Sequence, residues 1–150
     1  MKCNMTERDF YQISLKLILK NNQEEILILK ALDDGVFAGH YDLPGGRIDY
    51  NEFDTDFLSI LKRELLEEIG NVEVVIDDKP VALGRAELLK VGPNGKRIRI
   101  LYVIFEGDYQ GGEIVISNEH KDYKWVNLKK IKLEDYFVSG ILEGIKMYLK

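Results

Sequence analysis

The segment from Phe57 to Gly70, FLSILKRELLEEIG, restricts this chain more than any other stretch. At 100° per residue on an α-helix, Glu64, Glu67 and Glu68 fall within roughly a 100° arc. Leu58, Leu61, Leu65 and Ile69 form a neighbouring apolar stripe that has to face a core. Glu64 and Glu68 are four residues apart and repel each other. Arg63 reaches Glu67, also four apart, but one arginine does not neutralise three carboxylates. A divalent cation does, so the helix reads as half of a metal site. A pair of glutamates on a helix is by itself usually a solvated face; here it follows Leu43-Pro44-Gly45-Gly46-Arg47 and a short acidic loop. Two adjacent glycines mark backbone that takes unusual torsions or lies close to another group. Asp54 or Thr55 is expected to cap the helix and Gly70 to stop it.

On either side of this unit the pattern is that of strands. Phe10 to Leu19 places Ile13, Leu15, Leu17 and Leu19 at period two, a strand with one buried face. Asn21-Asn22-Gln23 turns the chain, and Glu25 to Leu32 returns as its antiparallel partner. Phe37 to Leu43 is a connector or short strand. Val72 to Ile76 is a short strand, and Val81–Val91 with Arg97–Phe105 makes a hairpin about Gly92-Pro93-Asn94-Gly95. RIRILYVIF, its second arm, is the most apolar run and is expected at the centre of a sheet. Tyr123 to Asn127 is a last strand, with Trp125 expected to pack under a closing amphipathic helix, Leu133 to Leu149, whose apolar face carries Phe137, Ile141, Ile145 and Tyr148. Strands, helix, strands, helix predict a mixed β-sheet between helices.

The chain has 150 residues, the length of a single domain spanning 1–150. Its 21 basic and 26 acidic residues leave a net charge of −5, which argues against polymeric nucleic acid or a membrane surface as partner. An anionic small molecule remains compatible, because a metal and a few arginines reverse the sign locally. The one cysteine, Cys3, excludes a disulfide framework and a Cys-based zinc site. The start lacks the apolar run of a signal peptide and no stretch approaches a membrane span, so a cytoplasmic protein is expected. His40 and His120 are expected on loops or the surface.

The stretch Gly46 to Gly70 resembles the signature box of the Nudix (MutT-like) hydrolase family. That pattern is Gly, five residues, Glu, seven residues, then Arg-Glu-aliphatic-x-Glu-Glu-x-Gly-aliphatic. Gly46 and Glu52 have the first spacing, and Arg63-Glu64-Leu65-Leu66-Glu67-Glu68-Ile69-Gly70 matches the second half without a gap. Tyr41-Asp42-Leu43-Pro44-Gly45 is similar to the usual lead-in, and Glu119-His120 with Tyr123-Lys124-Trp125-Val126 to the late segment. Two features depart. Ten residues, Phe53 to Lys62, separate Glu52 from Arg63, and Asn71 stands where an aliphatic residue is expected, a packing role that Val72 can take. Counting back from Glu64 by the family spacing lands on Thr55. The extra residues are expected in the loop before the helix, which leaves the role of Glu52 as an auxiliary carboxylate in question.

The resemblance implies an α/β/α sandwich and Mg²⁺-dependent hydrolysis, with Mn²⁺ as a substitute, of a nucleoside diphosphate linked to another group. It implies metal ligation by Glu64, Glu67, Glu68 and the Gly45 carbonyl, with Glu119 as a further candidate and Arg63 orienting the carboxylates. Either Glu64 or Glu119 is then the general base. Read from the residues, Arg47, Arg85, Arg97 and Arg99 are candidate phosphate contacts, with a solvated strand face accounting equally well for Arg97 and Arg99. Tyr41 is a candidate base-stacking residue for which structural packing is the stronger reading. The substrate class leans to a nucleoside triphosphate, hydrolysed by a pyrophosphohydrolase; ADP-ribose, a nucleotide sugar, and a non-catalytic nucleotide-sensing module are the alternatives. The resemblance also admits a homodimer.

Overall fold

The computed structural model describes residues 6–150, so Cys3 lies outside the described residues. Eight strands form one mixed sheet: β1 (Gln12–Lys20), β2 (Ile26–Ala31), β3 (Tyr41–Asp42), β4 (Gly45–Arg47), β5 (Glu73–Ile76), β6 (Ala82–Val91), β7 (Arg97–Gly111) and β8 (His120–Val126). Two helices cover it, α1 (Phe57–Ile69) and α2 (Ser139–Tyr148). The central pair is β1 with β7, parallel from Gln12↔Ile100 to Lys20↔Asp108. On its other side β7 takes β6 antiparallel along its first half and β5 along its second.

Alternation along β7 sorts the two cores. Val103 and Phe105 join Leu15, Leu17 and Leu19 under α1, with Ile60, Leu61, Leu65 and Ile69. Ile100, Tyr102 and Ile104 join Ile18, Ile28, Phe137, Ile141 and Ile145 under α2. This is the mixed sheet between helices that the element order predicts and the α/β/α sandwich that the resemblance implies. The expectation of one buried face for β1 is corrected: every residue from Ser14 to Leu19 is buried, because β1 is central and helices cover both sides. Lys16 is therefore in the interior.

The sheet divides beside β1. The β1–β2 hairpin pairs at Lys20↔Ile26, whereas Ser14 to Lys16 pair with β4 and Leu29 and Lys30 pair with β3. The chain thus crosses from β2 to β1 through Leu43 and Pro44. The crossing is pinned by the Leu17 amide donating to the Pro44 carbonyl at 2.9 Å, and Leu43 is fully buried.

Several boundaries differ from expectation. The α1 N-cap is Asp56 rather than Asp54 or Thr55; its Oδ2 accepts from the Ser59 amide at 3.0 Å. Gly70 ends α1 at φ 86°. Asn71 is exposed and Val72 packs toward the α1 core, taking the apolar role. The closing helix begins at Ser139, not Leu133: Leu133–Asp135 is a 3₁₀ turn and Val138 is extended. Trp125 does not pack under α2; it lies on the α1 side against Tyr109, ring centroids 5.2 Å apart. No helix among the described residues is long and apolar enough to cross a membrane.

α2 lies close against β6. Its Glu143 and Met147 side chains accept from the Arg85 and Leu83 amides, capping open donors of an edge strand. The approach depends on glycine: a Cβ on Gly84 would stand 1.9 Å from the Gly140 carbonyl oxygen. Gly84→Ala must push backbone from backbone and is expected to cost at least about 1–3 kcal/mol, the range for overpacking. Thermal unfolding checks this, and an unchanged Tm contradicts it.

Candidate active site at the fork of the sheet

The two glycines seat two carboxylates of α1. Gly45 has φ +135°, and a Cβ there would stand 2.0 Å from the Leu15 carbonyl oxygen, so glycine is required where β4 meets β1. Its amide donates to Glu68 Oε2 at 2.7 Å. A Cβ on Gly46 would stand 2.2 Å from Glu64 Oε2, so that carboxylate occupies the space a side chain would fill. Glu67, one turn along, is 61% exposed and turned outward.

Arg63 pairs with Glu64 and Glu67 of the helix and with Glu52 outside it. Its Nε and Nη2 donate to the two oxygens of Glu52 at 2.9 and 2.7 Å, a bidentate pair, while Nη1 lies 3.0 Å from Glu64 and 3.4 Å from Glu67. Glu52 is presented by a 3₁₀ turn, Tyr50–Glu52, and also accepts from the Asp49 amide at 2.9 Å. That amide bond and Arg63 hold the Glu52 carboxyl below its ordinary range. The inserted residues form the turn between Glu52 and Asp56, and Glu52 serves Arg63.

The buried charges make the site costly as an anion. Burial raises Glu64 despite the opposing Arg63. Burial pushes Glu68 up to about 8, against the pull of Lys16 and the Gly45 amide. Burial pulls the Lys16 pKa down, but Asp42 and Glu68 outweigh it and hold the ammonium above its ordinary value. The Lys16 Nζ donates to Asp42 Oδ2 at 2.8 Å and to the Leu43 carbonyl at 3.2 Å.

His120 corrects the surface assignment. Its side chain is 10% exposed, Nε2 lies 3.6 Å from Glu68 Oε1, and the buried Nδ1 has no hydrogen-bond partner. Burial lowers its pKa. Lys16, Asp42 and His120 were thus missing from the residues expected at the site. Asp42 and His120 stand in the two segments that flank the signature box in the resemblance, and Lys16 is the lysine between leucines in Leu15-Lys16-Leu17.

The other candidates are dispersed. Glu119 is exposed in the turn before β8, its amide donating to Ser117 Oγ. Arg47 follows the glycines on β4 and reaches Gln12 Oε1 at 2.9 Å, with no ion pair among the described residues. Arg97 and Arg99 pair with Glu87, and Arg99 also with Asp9, at 2.6 to 3.3 Å. Arg85 lies exposed on β6 and makes no ion pair among the described residues. Tyr41 packs against Tyr136 at 5.6 Å between centroids, with Lys124 Nζ 5.1 Å from its ring.

Among the described residues no group of three or more His, Cys, Asp or Glu side chains is already gathered in metal-binding geometry. The donor set nevertheless fits a hard divalent ion. Glu64, Glu67 and Glu68 offer only oxygens, and Gly46 leaves the room that Glu64 uses. Half-buried Glu64 and buried Glu68 are carboxyls whose charged forms burial disfavours and a cation would favour.

The mixed sheet between two helices and the glutamates seated on a glycine pair are the features to set beside known proteins. The NUDIX domain family model matches residues 11–143, and the chain belongs to the Nudix family, as a Nudix-type pyrophosphohydrolase. It is 28% identical over 120 residues to the nucleoside triphosphatase NudI of Klebsiella pneumoniae strain 342, covering 79% of this chain and 83% of that one. Among solved structures it resembles a MutT protein from Methanosarcina mazei Go1, with TM-score 0.64, 26% identity and 83% of each chain covered. A NUDIX hydrolase from Nitrosomonas europaea superposes with TM-score 0.68 at 19% identity, over 98% of this chain and 74% of that one.

The two glycines separate fold from site. Gly46→Ala meets only the mobile end of Glu64 and is expected to leave Tm within a few degrees while lowering kcat at least tenfold. Gly45→Ala meets backbone and is expected to unfold the chain or lower Tm sharply. Equal effects of the two on Tm contradict this division.

Glu68 also gives a pH signature without metal. In the folded state its pKa is about 8, against 4.5 for the ordinary side chain. Between those values the folded chain holds a proton that the unfolded chain releases, so stability is full below about pH 4.5 and falls as pH rises toward 8. With chelator present, Tm is expected to fall over that window and Glu68→Gln to flatten the fall. An identical slope in the variant contradicts it.

Proposed function

We propose that this chain hydrolyses a nucleoside triphosphate to a nucleotide and pyrophosphate, using Mg²⁺ or, in its place, Mn²⁺. The observation that carries this reading is the seating of Glu64 and Glu68 against Gly46 and Gly45, with Arg63 anchored by Glu52 at the edge of the same helix. The names of the NudI relatives support the substrate class. Bound there, the ion would neutralise phosphate oxygens and lower the pKa of its water.

The chain's own residues divide the remaining work. Glu64, Glu67 and Glu68, with the Gly45 carbonyl, are the groups that would hold the ion. Arg63 fixes the helix carboxylates, and Glu52 keeps Arg63 from folding away into solvent. Arg47, next to the glycines and without an acidic partner among the described residues, is placed to bind phosphate oxygens. Arg97 and Arg99 are engaged with Glu87 and Asp9 and are weaker candidates. Of the two carboxylates considered as base for the attacking water, Glu64 is favoured, since it stands within the glycine cradle whereas Glu119 is in an exposed turn. The three intact carboxylates weigh against a purely sensing role, which has no use for all of them.

Purified protein assayed with Mg²⁺ against nucleoside triphosphates, ADP-ribose, nucleotide sugars and dinucleoside polyphosphates tests the reading. A nucleoside triphosphate is expected to give the highest kcat/KM. Glu64→Gln is expected to lower kcat by about 10²–10⁴-fold, the contribution of a positioned base, and Glu67→Gln or Glu68→Gln to abolish turnover with the fold intact. Full activity in the Glu67 and Glu68 variants would overturn the metal assignment; preference for ADP-ribose or a nucleotide sugar would overturn the substrate class.

A further inference from the structure

Lys16 is the sole buried basic side chain among the described residues, and the mechanism above makes no use of it. A cation inside a protein loses its hydration, and a buried ion pair is weak evidence for stability, because well-packed apolar replacements often do as well. An apolar residue at 16 would have suited the second core, where Ile18 lies two residues on. The lysine instead stands at the point where β1 and β2 separate. It is opposite Gly45 in the β1–β4 register, whereas Asp42 belongs to β3 and pairs with Leu29 of β2.

We propose that Lys16 and Asp42 are positioning residues for the active site: their ion pair ties the two arms of the divided sheet and so fixes the Gly45 amide against Glu68. The inference rests on the reading of Glu68 as a metal-holding carboxylate. Lys16 Nζ holds Asp42 at 2.8 Å and the Leu43 carbonyl at 3.2 Å, the Leu17 amide holds the Pro44 carbonyl at 2.9 Å, and the Gly45 amide holds Glu68 at 2.7 Å. Four consecutive residues, Asp42 to Gly45, are thereby each bound by a group on β1 or α1. Without the ammonium, Asp42 and Leu43 lose their ties to β1, and the crossing that presents Gly45 retains only the Pro44 bond and the short β4 pairing. Lys16 and Asp42 do not touch the reacting atoms; they act through Gly45 and Glu68.

The test removes the pair without changing the net charge. Lys16→Met alone leaves the half-buried Asp42 without its cation, Asp42→Asn alone leaves the buried Lys16 without its anion, and both are expected to lower Tm. The double variant, Lys16→Met with Asp42→Asn, is expected to recover most of that loss. It is nevertheless expected to bind Mn²⁺, followed by its electron paramagnetic resonance signal, about 10- to 100-fold more weakly than the native chain, the range for outer partners of metal ligands. The Gly45 amide resonance is expected to move as its bond to Glu68 loosens, and Asp42→Asn, which keeps the Leu43 bond, to move it less and in the same direction. A double variant with native Mn²⁺ affinity and a native Gly45 resonance would overturn the proposal, as would lowered Tm with that resonance unmoved. Glu68→Gln reports separately on the underlying assignment. Native Mn²⁺ affinity in Glu68→Gln sinks Glu68 as a ligand, while the Gly45 resonance still decides whether Lys16 and Asp42 hold the loop.

Discussion

The separation of β1 from β2 is the constraint on which the site depends. Beyond Lys20↔Ile26 the hairpin partners part, β1 to β4 and β2 to β3. The chain has to cross the gap between them, and it does so with Leu43 buried and Gly45 at a torsion and a distance from Leu15 that no other residue tolerates. A backbone amide at the end of such a crossing has no strand partner to donate to. Glu68 takes that bond, which is how a helix carboxylate comes to be buried beside the sheet. The apolar stripe of α1 sets the helix on the sheet, and the same rotation turns Glu64 and Glu68 into the crossing while Glu67 stays outside.

Charge is arranged around that seat at graded depth. Arg63 lies at the outer edge, shared among Glu52, Glu64 and Glu67. Lys16 lies inside with Asp42. Between them the Glu64 and Glu68 carboxyls are both raised by burial, which disfavours their charged forms. Arg63 is shared among three carboxylates and Lys16 is held by Asp42, and burial still raises both glutamates against their pull. A hard divalent ion bound by oxygens is the chemistry that suits what remains.

Much of this was legible in the sequence, for physical reasons that differ by residue. The α1 stripe and its carboxylates were legible because helical periodicity fixes both at once, and the two glycines because a pair of residues lacking Cβ has few other uses. The α1 cap was misplaced by one or two residues, since Asp54, Thr55 and Asp56 are all competent caps and only the turn built on Glu52 selects among them. Lys16 and His120 were visible in the sequence as positions but not as groups of the site. A lysine in an alternating strand reads as solvent-facing until both faces are known to be covered, and a histidine in a polar loop reads as exposed until β8 brings it against Glu68. Trp125 and the start of α2 failed for a related reason: sequence order does not say which of two cores an aromatic residue joins, nor that Leu133 to Val138 spends its apolar residues outside a helix.

Thermal unfolding across a Mn²⁺ titration tests the central claim, that Glu64 and Glu68 seated on the glycine pair make a cation site, most directly. A ligand that binds only the folded chain raises stability by RT ln(1 + [L]/Kd), about 2.7 kcal/mol at one hundred times Kd. Native protein is expected to gain Tm steadily with the logarithm of Mn²⁺ concentration, and a Glu64→Gln, Glu68→Gln double variant to show no such gain. A native Tm indifferent to Mn²⁺, or an equal rise in the double variant, would contradict the account.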